Sequence, residues 1–290
     1  MIDGETKLVG LIGWPVEHSL SPAMHNAAFE ELGLNWSYVP LAVRPGEVVD
    51  AVRGLAALGF AGANVTVPHK QEVVGALDGV EPEAAALGAV NTIVVQRSDG
   101  GTGLRGHNTD STGFVRAVRA AGFEPAGRGA LVAGAGGGAR AVVYGLLDAG
   151  AKEVGVLDVA AQRAESLVGD LGGSVGRGKL SVMPATVEAL IERADEVDLL
   201  VNATPVGMWP QVDGSIWPDG VPMPPGLTVF DLVYNPGETK LLAQARESGA
   251  RAIGGLGMLV EQGAEAFELW TGREAPVGVM RAACERGLGR

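Results

Sequence analysis

Cysteine is nearly missing from this chain. Cys284 stands alone, so no internal disulfide can form, and a reducing compartment is the simple expectation. Histidine is scarce too: His18, His25, His69 and His107 show no metal-ligand spacing with that cysteine, and no metal is expected. Positive charge is short, with 22 Lys and Arg against 34 Asp and Glu and a net charge of −12. That balance argues against a nucleic-acid partner, which needs a basic face. It leaves a small anionic substrate open, because such a ligand is held by local groups. No apolar run approaches the ~20 residues that span a bilayer, and the start "MIDGETKLVG" lacks the basic-then-apolar plan of a signal peptide. The expectation is a cytoplasmic protein without a membrane or nucleic-acid partner, a monomer or a homodimer.

What is present is a globular composition, 47% hydrophobic and 19% charged, long enough for two domains. The 45 glycines are dispersed and form no repeat. Short apolar runs alternate with helix-like segments, which points to an α/β fold. Strands are expected at 7–13, 36–43, 62–67 and 90–96, and helices from Pro22 to about Gly33, over 46–59 and over 107–122. A cleaner rhythm comes next: strand 129–133, glycine turn, helix to about 150, and strands at 153–158, 197–205 and 227–234. Helices at 239–250, 258–272 and 276–287 complete the chain. The boundaries fall near residues 109 and 256. They divide the chain into a discontinuous α/β domain of residues 1–108 completed by 257–290, and a Rossmann-type α/β domain of residues 109–256.

The segment "VAGAGGGARA" carries the signal for that second domain. It contains G-x-G-x-x-A as Gly134, Gly136 and Ala139, with Ala135, Gly137 and Gly138 between them, after a strand and opening a helix. The first glycine allows the tight turn, the second lets backbone approach a pyrophosphate, and the third small residue lets helix and strand pack. An acidic residue is required at the end of the next strand, and Asp158 stands there. Its carboxylate suits the ribose hydroxyls of NAD and repels the 2′-phosphate of NADP. Two unit charges about 4 Å apart cost roughly 4 kcal/mol at an effective dielectric of about 20. The adjoining "VAA" offers no arginine for a phosphate, and Arg163, further on, is the one cation that keeps NADP possible. NAD is the expected cofactor.

At the other end, "VEHSLSPAMHNAAF" places Ser19 and Ser21 just before a proline and an apolar helix. Proline suits the first helical turn and serine caps it. Capping accounts for Ser21 and leaves Ser19 over. A helix start with unpaired N–H groups favours an anion.

With the glycine turn in place, "SLSPAMHN" (19–26), "NVTVPHK" (64–70), "GAVNTI" (88–93), "HNTDSTGF" (107–114), "GAGGGARA" (134–141), "NATPVGM" (202–208), "DLVYNPGETKLL" (231–242) and "GMLVEQGAEAF" (257–267) resemble, in order, the shikimate/quinate dehydrogenases. The resemblance implies a substrate-binding domain, a Rossmann-type cofactor domain and an active site in the cleft between them. It implies hydride transfer between a nicotinamide and the secondary alcohol of shikimate, quinate or a close analogue. Ser19 and Ser21 then hold the substrate carboxylate. Lys70 is the catalytic acid/base, paired with Asp110: the alcohol proton must leave as the hydride does, and a desolvated lysine can take it. Asn64, Thr66, Asn91, Tyr234 and Gln262 carry over as substrate contacts; Asn and Gln both donate and accept, which suits a ring of hydroxyls. Thr204, Met208, Val233, Gly255 and Met258 carry over to the cofactor side. His69 is read as structural.

One departure stands out. Many members of the family carry an Asn-Arg-Thr-like segment that selects NADP, where this chain has Asp158-Val159-Ala160. NAD-preferring relatives often act on quinate or related polyols, whereas Ser21 fits a shikimate-type carboxylate site. An amino-substituted substrate and a non-catalytic cofactor-binding module are the further alternatives.

Overall fold

The computed structural model describes residues 2–98, 101–173, 175, 176 and 178–289. In chain order the elements are β1 (Lys7–Gly13), α1 (Ser21–Glu31), β2 (Trp36–Ala42), α2 (Val48–Ala57), β3 (Gly62–Val65), a 3₁₀ turn (Glu72–Ala76), β4 (Gly79–Val80), α3 (Pro82–Leu87), β5 (Thr92–Ser98) and β6 (Gly101–His107). They continue with α4 (Asp110–Ala120), β7 (Gly129–Ala133), α5 (Gly137–Asp148), β8 (Glu153–Leu157), α6 (Ala161–Leu171), β9 (Lys179–Val182), α7 (Val187–Ala194), β10 (Leu199–Asn202) and β11 (Thr228–Asp231). Last come α8 (Lys240–Glu247), β12 (Arg251–Gly254), α9 (Leu256–Thr271) and α10 (Val277–Gly287). The chain forms two compact units, one of residues 1–109 with 260–290 and one of residues 110–259.

In the first unit the sheet order is β2-β1-β3-β5-β6-β4. β1 pairs in parallel with β2 and β3, and β5 runs antiparallel to both β3 and β6. Alternation along each strand sorts side chains between two faces. Ile12, Ala63, Val65 and Ile93 join Val48, Val52 and Leu55 of α2 in one core. The opposite face carries an aromatic cluster in which Phe29 of α1, Tyr38 of β2, and Phe267 and Trp270 of α9 surround the buried imidazole of His25. Each fully buried aromatic of this kind contributes roughly 1.5–3 kcal/mol through lost apolar hydration. Trp270 also donates from Nε1 to the carbonyl of Ile93 at 2.9 Å, which pins α9 to the sheet. α10 packs against α1.

β6 is a difference from the sequence reading. "GTGLRGH" has three glycines, no apolar alternation and a single β-branched residue, Thr102, so little local marks it as a strand. Its antiparallel register with β5 creates it, and the helix expected from residue 107 starts at Asp110.

In the second unit the order is β12-β11-β10-β7-β8-β9, all pairs parallel. This is the doubly wound Rossmann arrangement, whose strand order reverses between β7 and β10. Ligands bind such sheets beyond the carboxyl ends of the strands at that reversal. The glycine turn comes directly after β7. Val132, Val154, Val156, Val201 and Phe230 from the strands pack with Ala139, Val142 and Leu146 of α5.

Candidate functional site

In the first unit the chain brings several of the expected polar residues together on the aromatic face of the sheet. Tyr38 and Asn64 sit on β2 and β3, which flank β1, so the phenol reaches across β1 to donate to Asn64 Oδ1 at 2.8 Å. Ser21, at the start of α1, hydrogen-bonds the same phenol. Asn64 Nδ2 donates to Thr92 Oγ1 at 3.0 Å and to the carbonyl of Asn91 at 3.2 Å. Asn91 Oδ1 accepts from Thr92 Oγ1 at 3.0 Å and from the N–H of Thr109 at 2.8 Å. Asn91 Nδ2 donates to Thr109 Oγ1 at 3.0 Å and lies 3.5 Å from Gln262 Oε1 on α9. Ser21, Asn64, Asn91, Thr92 and Thr109 are all buried. Burying so many polar groups is tolerable only because each finds a partner. Burial drives the Tyr38 phenol upward from its ordinary pKa, against the Ser21 bond, which lowers it. It therefore acts as a hydrogen-bond donor and never as a charged group.

The two serines exchange the parts expected of them. α1 begins at Ser21 itself with Pro22 second, and the residue before it, Leu20, makes no side-chain cap. The hydroxyl of Ser19 accepts the N–H of Ser21 at 3.2 Å. Ser19 therefore satisfies a first-turn donor, a local side-chain turn, and Ser21 points its hydroxyl into the buried network. Thr66 lies just past β3, half-buried. Its methyl group fits because residue 13 is glycine; a Cβ there would stand 2.3 Å from Thr66 Cγ2.

Lys70 is half-buried in the turn after β3, and its carbonyl accepts the N–H of Val90. Asp110 is buried at the first position of α4, directly after Thr109. His69 is buried, and its Nε2 donates to the carbonyl of Val43 at 2.7 Å. That bond ties it to the strand framework.

In the second unit the glycine turn is locked from below. Gly134 has φ +106°, and a Cβ there would lie 2.8 Å from the carbonyl oxygen of Ala203, so only glycine fits. Its N–H donates to Leu157 at 2.8 Å. The Asp158 carboxylate accepts from the N–H of Ala135 at 2.9 Å and of Ala160 at 2.8 Å. It thus fastens the turn to the end of β8. Gly136 is the residue before α5, whose first two residues are Gly137 and Gly138, while Ala139 is fully buried against the sheet. Beside Gly136 a Cβ would meet nothing within 4 Å, so the backbone there is open to a ligand at a helix N-terminus. These residues fit a dinucleotide. Val159 is 97% exposed, and Arg163 lies exposed on the first turn of α6.

The loops beside the turn are joined by a carboxylate that the sequence reading passed over. Asp231, buried at the end of β11, accepts from Asn202 Nδ2 at 2.9 Å, Thr239 Oγ1 at 2.6 Å and the N–H of Val233 at 3.0 Å. Burial raises its pKa, and the three hydrogen bonds oppose that rise. Thr204 donates from both N–H and hydroxyl to Asn202 Oδ1. The N–H of Gly255 faces the carbonyl of Val233 at 3.4 Å. Tyr234 is half-buried in the loop after β11, Met208 is exposed, and Met258 is buried in the core of this unit. The signal for Asp231 and Asn202 was there to read: each is a polar residue closing an otherwise apolar strand.

Among the described residues no group of three or more His, Cys, Asp or Glu side chains could hold a metal ion, and no helix is long and apolar enough to cross a membrane.

Comparison with known proteins bears on both units. The shikimate dehydrogenase substrate binding domain family matches residues 11–93, and the shikimate 5'-dehydrogenase C-terminal domain family matches residues 255–285. The shikimate dehydrogenase (NADP(+)) of Moorella thermoacetica is 47% identical, covering 99% of this chain and 96% of its own length. The shikimate 5-dehydrogenase of Listeria monocytogenes, solved in complex with shikimate and NAD, superposes with a TM-score of 0.88 at 38% identity, over 97% of each chain. The quinate dehydrogenase of Corynebacterium glutamicum in complex with NAD superposes with a TM-score of 0.87 at 34% identity, over 97% of this chain and 99% of that one.

Proposed function

The chain belongs to the shikimate dehydrogenase family, and from that premise we propose that it is an oxidoreductase interconverting shikimate and 3-dehydroshikimate with a nicotinamide cofactor. The observation that carries the substrate side is the buried network running from Ser21 through Tyr38, Asn64, Thr92 and Asn91 to Thr109 and Gln262. So many buried amides and hydroxyls in one connected network suit the ordering of a polar surface for a polyhydroxylated ligand.

Ser19 and Ser21 hold the carboxylate by neutral hydroxyl donors, which needs no net positive charge. Asn64, Thr66, Asn91, Tyr234 and Gln262 hold the ring hydroxyls. Lys70 takes the proton of the reacting alcohol during oxidation and returns it during reduction, and Asp110 orients the lysine and the substrate. The turn from Gly134 to Ala139, with Asp158, Thr204, Val233 and Gly255, would hold the nicotinamide cofactor, which when bound would supply the hydride acceptor or donor.

NAD is the preferred cofactor in this reading, although curated relatives carry NADP in their names. Asp158 brings a negative charge to the position facing the ribose, and the exposed neighbour Val159 brings no cation. Arg163 is the only nearby guanidinium on α6 before its midpoint.

A matrix of shikimate, quinate and an amino analogue against NAD and NADP tests the substrate and cofactor together. Shikimate with NAD is expected to give the highest kcat/KM, several-fold or more above shikimate with NADP. Higher kcat/KM for quinate would reassign the substrate; higher kcat/KM for NADP would reverse the cofactor reading. Asp158→Asn, which keeps an oxygen for a backbone N–H, is expected to bring the NAD-to-NADP ratio toward one. Lys70→Ala is expected to lower kcat by about 10²–10⁴, the range for a lost acid/base group, while NAD binding measured by fluorescence titration stays within two-fold. Full turnover in that variant removes Lys70 from the mechanism.

A further inference from the structure

Asn64 has its amide sense fixed from behind, and the group that fixes it is Tyr38. The carbonyl of Asn91 can only accept, so the Asn64 atom 3.2 Å from it is the amide nitrogen. The same nitrogen donates its second hydrogen to Thr92 Oγ1. The Asn64 oxygen therefore faces the phenol, and Tyr38 is the donor in that 2.8 Å bond. Tyr38 has no freedom to do otherwise: it is 2% exposed and stacked on the His25 ring at 4.5 Å with an interplanar angle of 7°.

We propose that Tyr38 is a positioning residue for substrate binding, which holds Asn64 so that this side chain accepts, and does not donate, the hydrogen bond from a substrate ring hydroxyl. Both amide hydrogens of Asn64 go to protein acceptors, so its remaining carbonyl lone pair is what it offers a ligand. Without the phenol hydroxyl the Asn64 oxygen loses its one protein donor among the described residues, and the amide is free to turn. The inference rests on the assignment of Asn64 to the substrate site and adds which partner donates.

The test is Tyr38→Phe in the full chain, which keeps the stacked ring and removes only the hydroxyl. The dissociation constant and KM for shikimate are expected to rise about ten-fold, the value of one hydrogen bond to a buried group. kcat is expected to stay within two-fold and the dissociation constant for NAD to be unchanged, a split that general loosening of the fold would not produce. In an Asn64→Ala background the Tyr38→Phe change is expected to cost nothing further; additive losses overturn the proposal, as does unchanged shikimate binding in Tyr38→Phe alone. A second measurement leaves Tyr38 intact. Shikimate analogues with fluorine in place of each ring hydroxyl in turn retain an acceptor and lose a donor. One of them is expected to bind wild type about ten-fold more weakly than shikimate does and Asn64→Ala as well as shikimate does. Equal losses in both proteins at every position overturn the acceptor role. Wild-type protein that neither binds nor oxidises shikimate overturns the functional reading and this inference with it, whereas normal wild-type turnover with an unaltered Tyr38→Phe overturns this inference alone.

Discussion

His25 shows how one residue can make stability depend on pH. It is fully buried among Phe29, Tyr38, Phe267 and Trp270, and neither ring nitrogen has a hydrogen-bond partner. Desolvation pushes its pKa down from 6.5 to about 3. The unfolded chain takes up a proton below about 6.5, and the folded chain refuses it until about 3. Stability from this residue is thus present above 6.5 and is lost as pH falls, by about 1.4 kcal/mol per pH unit across that window. His25→Phe keeps a stacked ring and removes the titration. Urea unfolding at pH 7 and pH 4 is expected to show a smaller acid loss in the variant than in wild type; any packing cost of the larger ring is the same at both pH values. Equal acid losses would mean that the imidazole does not govern this region. Cys284 is the contrasting case: burial raises its thiol to about 11, and it behaves as a small apolar side chain.

At the scale of elements, the second unit depends on how strand ends are tied to the loops and helices beyond them. Asp231 gathers the loop after β10 through Asn202, its own loop through Val233, and the start of α8 through Thr239. Thr239 also caps α8, accepting the N–H of Leu242 at 3.3 Å. Thr239→Val removes a charge-assisted hydrogen bond and a cap together, an expected loss of about 2–4 kcal/mol at neutral pH. Because burial raises the Asp231 pKa, its ionised form weakens stability as pH rises through that value. Thr239 bonds that ionised form, so the variant's cost is expected to be larger at pH 8 than at pH 4, and Thr239→Ser is expected to recover most of it. Denaturant midpoints at the two pH values check this; a cost independent of pH would reduce Thr239 to a helix cap. The glycine turn works by the same logic, since the two oxygens of Asp158 bind N–H groups on β8's side and on the turn. One carboxylate can therefore both brace the turn and stand where a ribose would lie.

At the scale of the whole molecule, local pattern marked out most of the elements and tertiary pairing supplied the rest. Strands β1, β2, β7, β8, β10 and β11 were legible because an apolar run between turn residues means the same thing in any fold. β6, β9 and β12, and the helices α3 and α7, were not read as elements, while the helix expected to hold Arg163 is α6. β6 exists through its register with β5, and β9, β12 and α3 are short segments with no strong periodicity of their own, whereas α7, with Leu190 and Ala194 buried one turn apart, carries a periodic face that the reading passed over. The glycine turn was legible because G-x-G-x-x-A between a strand and a helix is a local pattern, and a φ of +106° at Gly134 suits glycine by sterics within its own residue. Ser19, Ser21, Asn64, Asn91 and Gln262 were legible as polar residues in family motifs. Tyr38, Thr92 and Thr109 were not, because a hydroxyl carries no sign of what it will meet, whereas Asp231 could have been read as a polar residue closing an apolar strand. Residue types and their short-range spacing determine turns, caps and periodic faces, for these obey sterics within a few bonds. Only the folded chain could decide which proton goes to which oxygen, because Tyr38 and Asn64 lie 26 residues apart and meet across a third strand.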